Sequence, residues 1–349
     1  MAKFNRTFNQ SVWVNHLTRN YVTSGKLSEH IKNGITGVVF NQISFYLDIE
    51  SGQYSFFERE NDIEDSIDIY EQLVCKDICD AAKLLNSVYE NTNTNDGYVC
   101  LEVDPAFANR VDAMHLSSSD LIYNLINLPN FMIKIPGTKS GIKVLEKLIR
   151  DGENVNVGAI YSVEQYEKVA LAYIESLKER LADNLPLDEI NSVVSVPVYP
   201  MDYTIDGFLG TNDYIRDTAV LNARLIYAKY EEIFGSIDFV RLRHKGANTQ
   251  RIAWVLNGLE TTRYSRNLPV NDTILVASLN DLELNNFADN RINRSVYDAD
   301  VYFEGLEKIG VNRKNNWKKI ADDLQKIEIS NSLEIFDDVM GIIYEKFCC

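Results

Sequence analysis

"FMIKIPGTKSGIKVLEKLIRDG", residues 131–152, reads as a short strand, a Pro-Gly turn and an amphipathic helix. After the turn, Ile142, Leu145, Leu148 and Ile149 recur at helical spacing and give that helix one apolar stripe to bury. In the strand, Phe131, Ile133 and Ile135 share one face, while Met132 and Lys134 alternate onto the other. A charge in the middle of such a strand needs a reason.

The same strand-then-helix unit recurs along the chain. Apolar strands are predicted at 12–15, 36–41, 97–103, 131–137, 154–162, 193–200, 251–257 and 273–279, with helical patterns such as 138–150 and 163–182 between them. Eight strands in this rhythm favour an α/β fold with a single closed (β/α)8 barrel, a TIM barrel, over an open sheet. No GxGxxG or GxxxxGK[ST] phosphate loop argues for the open alternative. The 42–96 interval exceeds one crossover and predicts extra helices, as does the tail from about Asp298, and one domain over residues 1–349 accommodates all of it.

Alternation then maps the barrel interior. Besides Lys134, it turns Trp13 and Asn15, Asn41, Cys100 and Glu102, Asn156, Gly158 and Ser162, and Ser195 and Tyr199 inward. Barrel interiors are packed mostly with Val, Ile and Leu, so this polar set near the ends of successive strands points to a site. A buried Lys134–Glu102 ion pair with amide hydrogen bonds is the structural alternative. In an enclosed cavity a lysine loses hydration and its pKa falls, freeing an amine to form a Schiff base with a ketone or aldehyde. Glu102 could then shuttle protons, directly or through a water.

Composition narrows the partners. The 349 residues carry 35 Lys and Arg against 51 Asp and Glu, a net charge of −16 that repels nucleic acid. No apolar run is long enough for a membrane span and the amino terminus "MAKFNRTFNQ" has no signal-peptide core, so a cytoplasmic location is expected. The five cysteines are an odd, sparse set, read as reduced thiols, and Cys75 and Cys79 have no nearby histidine to complete a zinc site. His16, His30, His115 and His244 are scattered without ligand spacing. No metal and no cofactor is expected.

Five segments give the chain its resemblance: "QSVWVNHLTRNYVTSGKLSEHIKNGITGVVFNQISF", "DGYVCLEVDP", "LPNFMIKIPGTKSGIKVLEKLIRDGENVNVGAIYSVEQYEKVALAY", "VVSVPVYPMDYTID" and "QRIAWVLNGLE". In order and spacing they resemble the transaldolases of the class I, Schiff-base aldolase superfamily. The resemblance implies a (β/α)8 barrel, Lys134 as the Schiff-base lysine, Glu102 as the carboxylate that holds a catalytic water, and Asn41, Asn156 and Ser195 as substrate-positioning groups.

The departures make this a divergent member. Asn15 stands where the family has an aspartate acid and base, and an amide cannot take up that proton. Gly158 replaces a threonine, and Pro200 replaces an arginine that grips phosphate. Leu256 and Glu260 stand in the segment where small polar residues and a second cation are expected, although Arg263 and Arg266 in "TRYSRNL" could supply replacements. Each lost charge-assisted contact is worth ~1.5–3 kcal/mol.

These readings lead to a Schiff-base enzyme acting on a carbonyl compound without a phosphate, in a specialised biosynthetic pathway. The alternatives are a conventional transaldolase moving dihydroxyacetone between phosphosugars, and a catalytically silent barrel used for binding or assembly. The expected partner is a small carbonyl substrate, with a homodimer compatible with everything read so far.

Overall fold

In a computed structural model the eight strands close into one parallel barrel in the order β1 to β8. The structure describes residues 10–55, 57, 65–209, 218–256, 264–265, 267–284, 307 and 316–348. The strands are β1 Ser11–Val14, β2 Gly37–Val39, β3 Val99–Glu102, β4 Phe131–Pro136, β5 Val155–Gly158, β6 Ser192–Pro197, β7 Arg251–Leu256 and β8 Thr273–Ala277. All eight predicted strands are there, but several are shorter: β5 ends at Gly158 and β6 at Pro197, each followed by a turn into a helix.

The helices are α1 Arg19–Thr23, α2 Lys26–Lys32, α3 Gln42–Glu50, α4 Ser66–Asn91, α5 Val111–Asn124, α6 Lys139–Asp151, α7 Val163–Ala182, α8 Tyr199–Leu209, α9 Thr218–Phe234 and α10 Ile237–Arg243. α3 and α4 both fall between β2 and β3. A last long helix, Asn316–Ile343, is called here the mouth helix.

Local chemistry sets the boundaries in the decisive segment. Thr138 caps α6 by accepting from the Gly141 amide at 3.0 Å, and Gly152 ends the helix with φ 100°. A side chain at Gly141 would drive its Cβ to 1.8 Å from the Pro136 carbonyl oxygen, so glycine is what lets α6 pack directly on β4.

Two apolar clusters divide the molecule as alternation requires. The outward set, including Phe131, Ile133 and Ile135, joins Val99, Leu101 and the helix faces in the larger core. The inward set, Trp13, Val39, Cys100, Met132, Val193, Ala253, Ile274 and Val276, fills the barrel. Trp13 lies so close over Gly37 that a Cβ there would sit 2.6 Å from the indole. Below it, Asp96 accepts from Trp13 Nε1 at 2.7 Å and from Ser11, and Arg251 donates to Ser11 Oγ at 2.6 Å. This polar plug closes the amino-terminal end of the barrel.

The mouth helix crosses the opposite end. Gln325 Nε2 donates to the carbonyls of Gly137 and Ala159 at 3.0 and 2.8 Å, just past β4 and β5. Gln165 of α7 donates to Asp322 at 3.2 Å. Among the described residues no helix is long and apolar enough to cross a membrane.

Candidate active site

Strand register assembles a polar row at the carboxyl-terminal end of the barrel. Glu102 on β3 pairs with Lys134 on β4, and Lys134 with Asn156 on β5. Lys134 Nζ donates to Glu102 Oε2 at 2.7 Å. Asn156, fully buried, accepts from Ser195 Oγ at 2.9 Å and donates to Cys100 Sγ at 3.7 Å. Five of the residues predicted from alternation thus form two neighbouring contact sets across β3 to β6, Glu102 with Lys134 and Cys100 with Asn156 and Ser195. Asn15, at the end of β1, joins Lys134 and Ser195 in the wall of the adjoining cavity.

Three of the residues assigned inward stand just past strand ends and make other contacts. Asn41 is the N-cap of α3, accepting from the Ser44 amide at 2.9 Å, and Ser162 likewise caps α7. Tyr199 opens α8 and packs its ring near those of Tyr203 and Tyr264. All three lie beyond the ends of their strands at Val39, Gly158 and Pro197, although the backbone at Asn41 (φ −128°, ψ 115°) is still extended, and Asn41 and Ser162 serve as helix caps.

The sequence reading had no view of Glu328. The mouth helix sets this carboxylate over the lysine, with Tyr161 donating to Glu328 Oε2 at 2.6 Å. Its pattern sits within an ordinary amphipathic helix, so nothing local in the sequence singles it out.

The lysine's charge state also differs from expectation. Burial strips hydration from the ammonium and pulls its pKa down, but Glu102 and Glu328 outweigh that and hold it above the ordinary 10.5. A cavity lined by one carboxylate was expected to yield a free amine; a cavity with two holds the ammonium. Burial lifts Glu328 above the usual carboxylate value, against Lys134 and the Tyr161 hydrogen bond, which lower it, while the Glu102 charge adds to the rise.

The cavity holds about 410 Å3, enough for a small metabolite. Leu324, Ile327 and Ile335 of the mouth helix form an apolar ceiling; Asn15, Ser195 and Thr204 offer polar groups. Lys134 is the sole cation among the described lining residues, and Pro200 occupies the wall as the sequence suggested. Glu260, Arg263 and Arg266 lie outside the described residues. Glu102 and Glu328 together border a second recess of about 10 Å3, close to the volume of one water. Gly158 leaves room for the lysine, since a Cβ there would approach Lys134 Cε to 2.9 Å. Among the described residues no group of His, Cys, Asp and Glu is arranged to hold a metal.

An ammonium in contact with a carboxylate at the mouth of a barrel, facing a small cavity, can transfer its proton and attack a carbonyl. The family described as Transaldolase/Fructose-6-phosphate aldolase matches residues 13–323. A transaldolase of Trichodesmium erythraeum is 31% identical over 97% of this chain and 95% of its own length. Transaldolase 2 of a Nostoc species is 30% identical over 98% of this chain and 96% of its own. Transaldolase 2 of Streptomyces coelicolor is 34% identical over 78% of this chain and 76% of its own.

Proposed function

This chain belongs to the transaldolase/fructose-6-phosphate aldolase family, and from that premise we propose that it is a transferase or lyase working through a Schiff base on Lys134. The observation that carries the proposal is the 2.7 Å contact of Lys134 Nζ with Glu102 Oε2 at the edge of the cavity. Glu102 takes the ammonium proton and the amine attacks the carbonyl carbon. The resulting carbinolamine loses water, and the iminium formed draws electrons from the adjacent carbon–carbon bond. Hydrolysis with water reverses imine formation. The recess shared by Glu102 and Glu328 is where one water could be held for both steps.

The substrate in this proposal is a small ketone or aldehyde without a phosphate. Support comes from the lining: Pro200 and an apolar ceiling face the cavity, and its one described cation is engaged by Glu102. The second reading, conventional transaldolase activity on phosphosugars, draws its support from the end-to-end match to relatives named transaldolase. The roles of Asn156, Ser195 and Asn15 as substrate-positioning groups belong to both.

Borohydride trapping followed by intact-mass measurement tests the reaction type. With dihydroxyacetone, the wild type gains one reduced adduct on Lys134, and Lys134→Met gains none. An adduct that persists in Lys134→Met sinks the assignment, and absence of any adduct from the wild type with a panel of ketones and aldehydes favours a silent barrel. Assay with fructose 6-phosphate and erythrose 4-phosphate separates the two substrates: efficient transfer establishes the conventional reading.

A further inference from the structure

We propose that Glu328, held by Tyr161, is the group that exchanges the proton with the substrate hydroxyl when the carbon–carbon bond breaks or forms. The inference rests on the Schiff-base reading of Lys134 and assigns the step that reading leaves without a partner.

The cavity offers few candidates. Its described lining contains Lys134, Tyr161, Tyr203 and Glu328 as titratable groups. Lys134 becomes the imine nitrogen, Tyr203 is largely exposed at 71%, and the Asn15 amide cannot exchange a proton at neutral pH. Glu102 reaches the lysine from the barrel wall and borders the small recess and a separate cavity beside α4 and α5, not the cavity that Lys134 lines. Glu328 borders both the small recess and the cavity that Lys134 lines. A substrate joined to Lys134 extends into the space that Glu328 overlooks, while Glu102 stays with the nitrogen.

Tyr161 fits the same assignment. Burial and the neighbouring Glu328 push its hydroxyl well above the ordinary range, so it remains a donor and fixes one carboxylate oxygen. A carboxylate has a second oxygen to present to a ligand. In cleavage, that oxygen accepts the proton of the hydroxyl on the carbon β to the iminium. The Cα–Cβ pair flows into the iminium, giving an enamine on Lys134 and a free aldehyde, and Glu328 leaves as the acid. In the forward addition the enamine attacks an acceptor aldehyde and Glu328 returns the proton to the new alkoxide, so atoms and charge balance.

The groups facing Glu328 fix the pH behaviour. Lys134 and Tyr161 lower its pKa and Glu102 raises it, on top of the rise from burial. As a base in cleavage it must be ionised, so the rate falls on the acid side through its pKa. Removing the Tyr161 hydroxyl removes a lowering contact and moves that limb to higher pH.

The test uses the full chain, borohydride trapping with dihydroxyacetone as the measure of imine formation, and transfer of the three-carbon fragment of fructose to erythrose, in which the enamine is made by cleavage and spent in addition, as the measure of addition. In Glu328→Gln trapping falls by no more than about threefold while addition falls by ~100-fold or more, the range for loss of a general acid–base group. Formate partly restores the rate of Glu328→Ala. Tyr161→Phe lowers addition less than Glu328→Gln does and shifts the acid limb of the cleavage reaction upward. Equal loss of trapping and addition in Glu328→Gln assigns Glu328 a purely structural role and overturns the proposal. Unchanged addition overturns it as well. If the wild type forms no adduct, the Schiff-base reading itself falls, an outcome distinct from either.

Discussion

At the level of single residues, the lysine's charge decides the chemistry. Lys134 is held above its ordinary 10.5 by two carboxylates, so its ion pairs contribute to folding at neutral pH and are lost as pH rises through the raised value. Glu102→Gln removes one of the contacts that raise it. The midpoint at which trapping with dihydroxyacetone accelerates should therefore move to lower pH, and a trapping profile across neutral to alkaline pH measures it. A midpoint that stays put would show that Glu102 does not govern the lysine. Lys134, Glu102, Asn156 and Ser195 were legible in the sequence because each sits inside a strand, where spacing alone fixes the facing side. Asn41, Ser162 and Tyr199 stand just beyond strand ends, where alternation alone no longer fixes which way a side chain faces. The direction of the Lys134 shift was missed because its second carboxylate comes from far along the chain.

Among the elements, the mouth helix carries what sequence periodicity could not. Its apolar stripe predicts that it packs on something, not which end of the barrel it covers or that Glu328 faces the lysine. Tertiary contacts fix this: Gln325 satisfies the Gly137 and Ala159 carbonyls, and Gln165 and Tyr161, from the corner after β5, reach Asp322 and Glu328. Gln325→Leu keeps the side-chain bulk but leaves both carbonyls short of a donor, at a cost of about 1–3 kcal/mol. Hydrogen exchange should quicken by ~10-fold or more through Asn316–Ile343 while the strands keep their protection. Exchange unchanged in that helix would mean that its apolar contacts alone hold it. The eight strands and their order were legible in outline, since each strand–helix repeat announces itself; their exact ends were not, because turning residues such as Gly158 fit a strand pattern equally well.

For the molecule as a whole, the barrel separates stability from chemistry along its axis. At the amino-terminal end Asp96 and Arg251, each 4% exposed, tie Ser11 and Trp13 into the plug. Asp96→Ala leaves the indole and the Ser11 hydroxyl without their acceptor and removes a carboxylate 3.9 Å from Arg251, which keeps Asp272 at 3.5 Å, at a cost of about 1–3 kcal/mol per orphaned donor. Chemical denaturation should record the loss while trapping at Lys134 stays unchanged under native conditions; a loss of trapping without a loss of stability would show the two ends to be coupled. The plug has a further effect on traffic. With Trp13 pressed on Gly37 and clustered with Met132 and Ile274, side chains fill the barrel between the plug and the chamber. In the proposed transfer, a molecule that surrenders a fragment to Lys134 then leaves by the mouth through which it came before an acceptor can take its seat. The order of visits is thus imposed by architecture, and transfer kinetics should show parallel double-reciprocal lines, one customer leaving before the next is served.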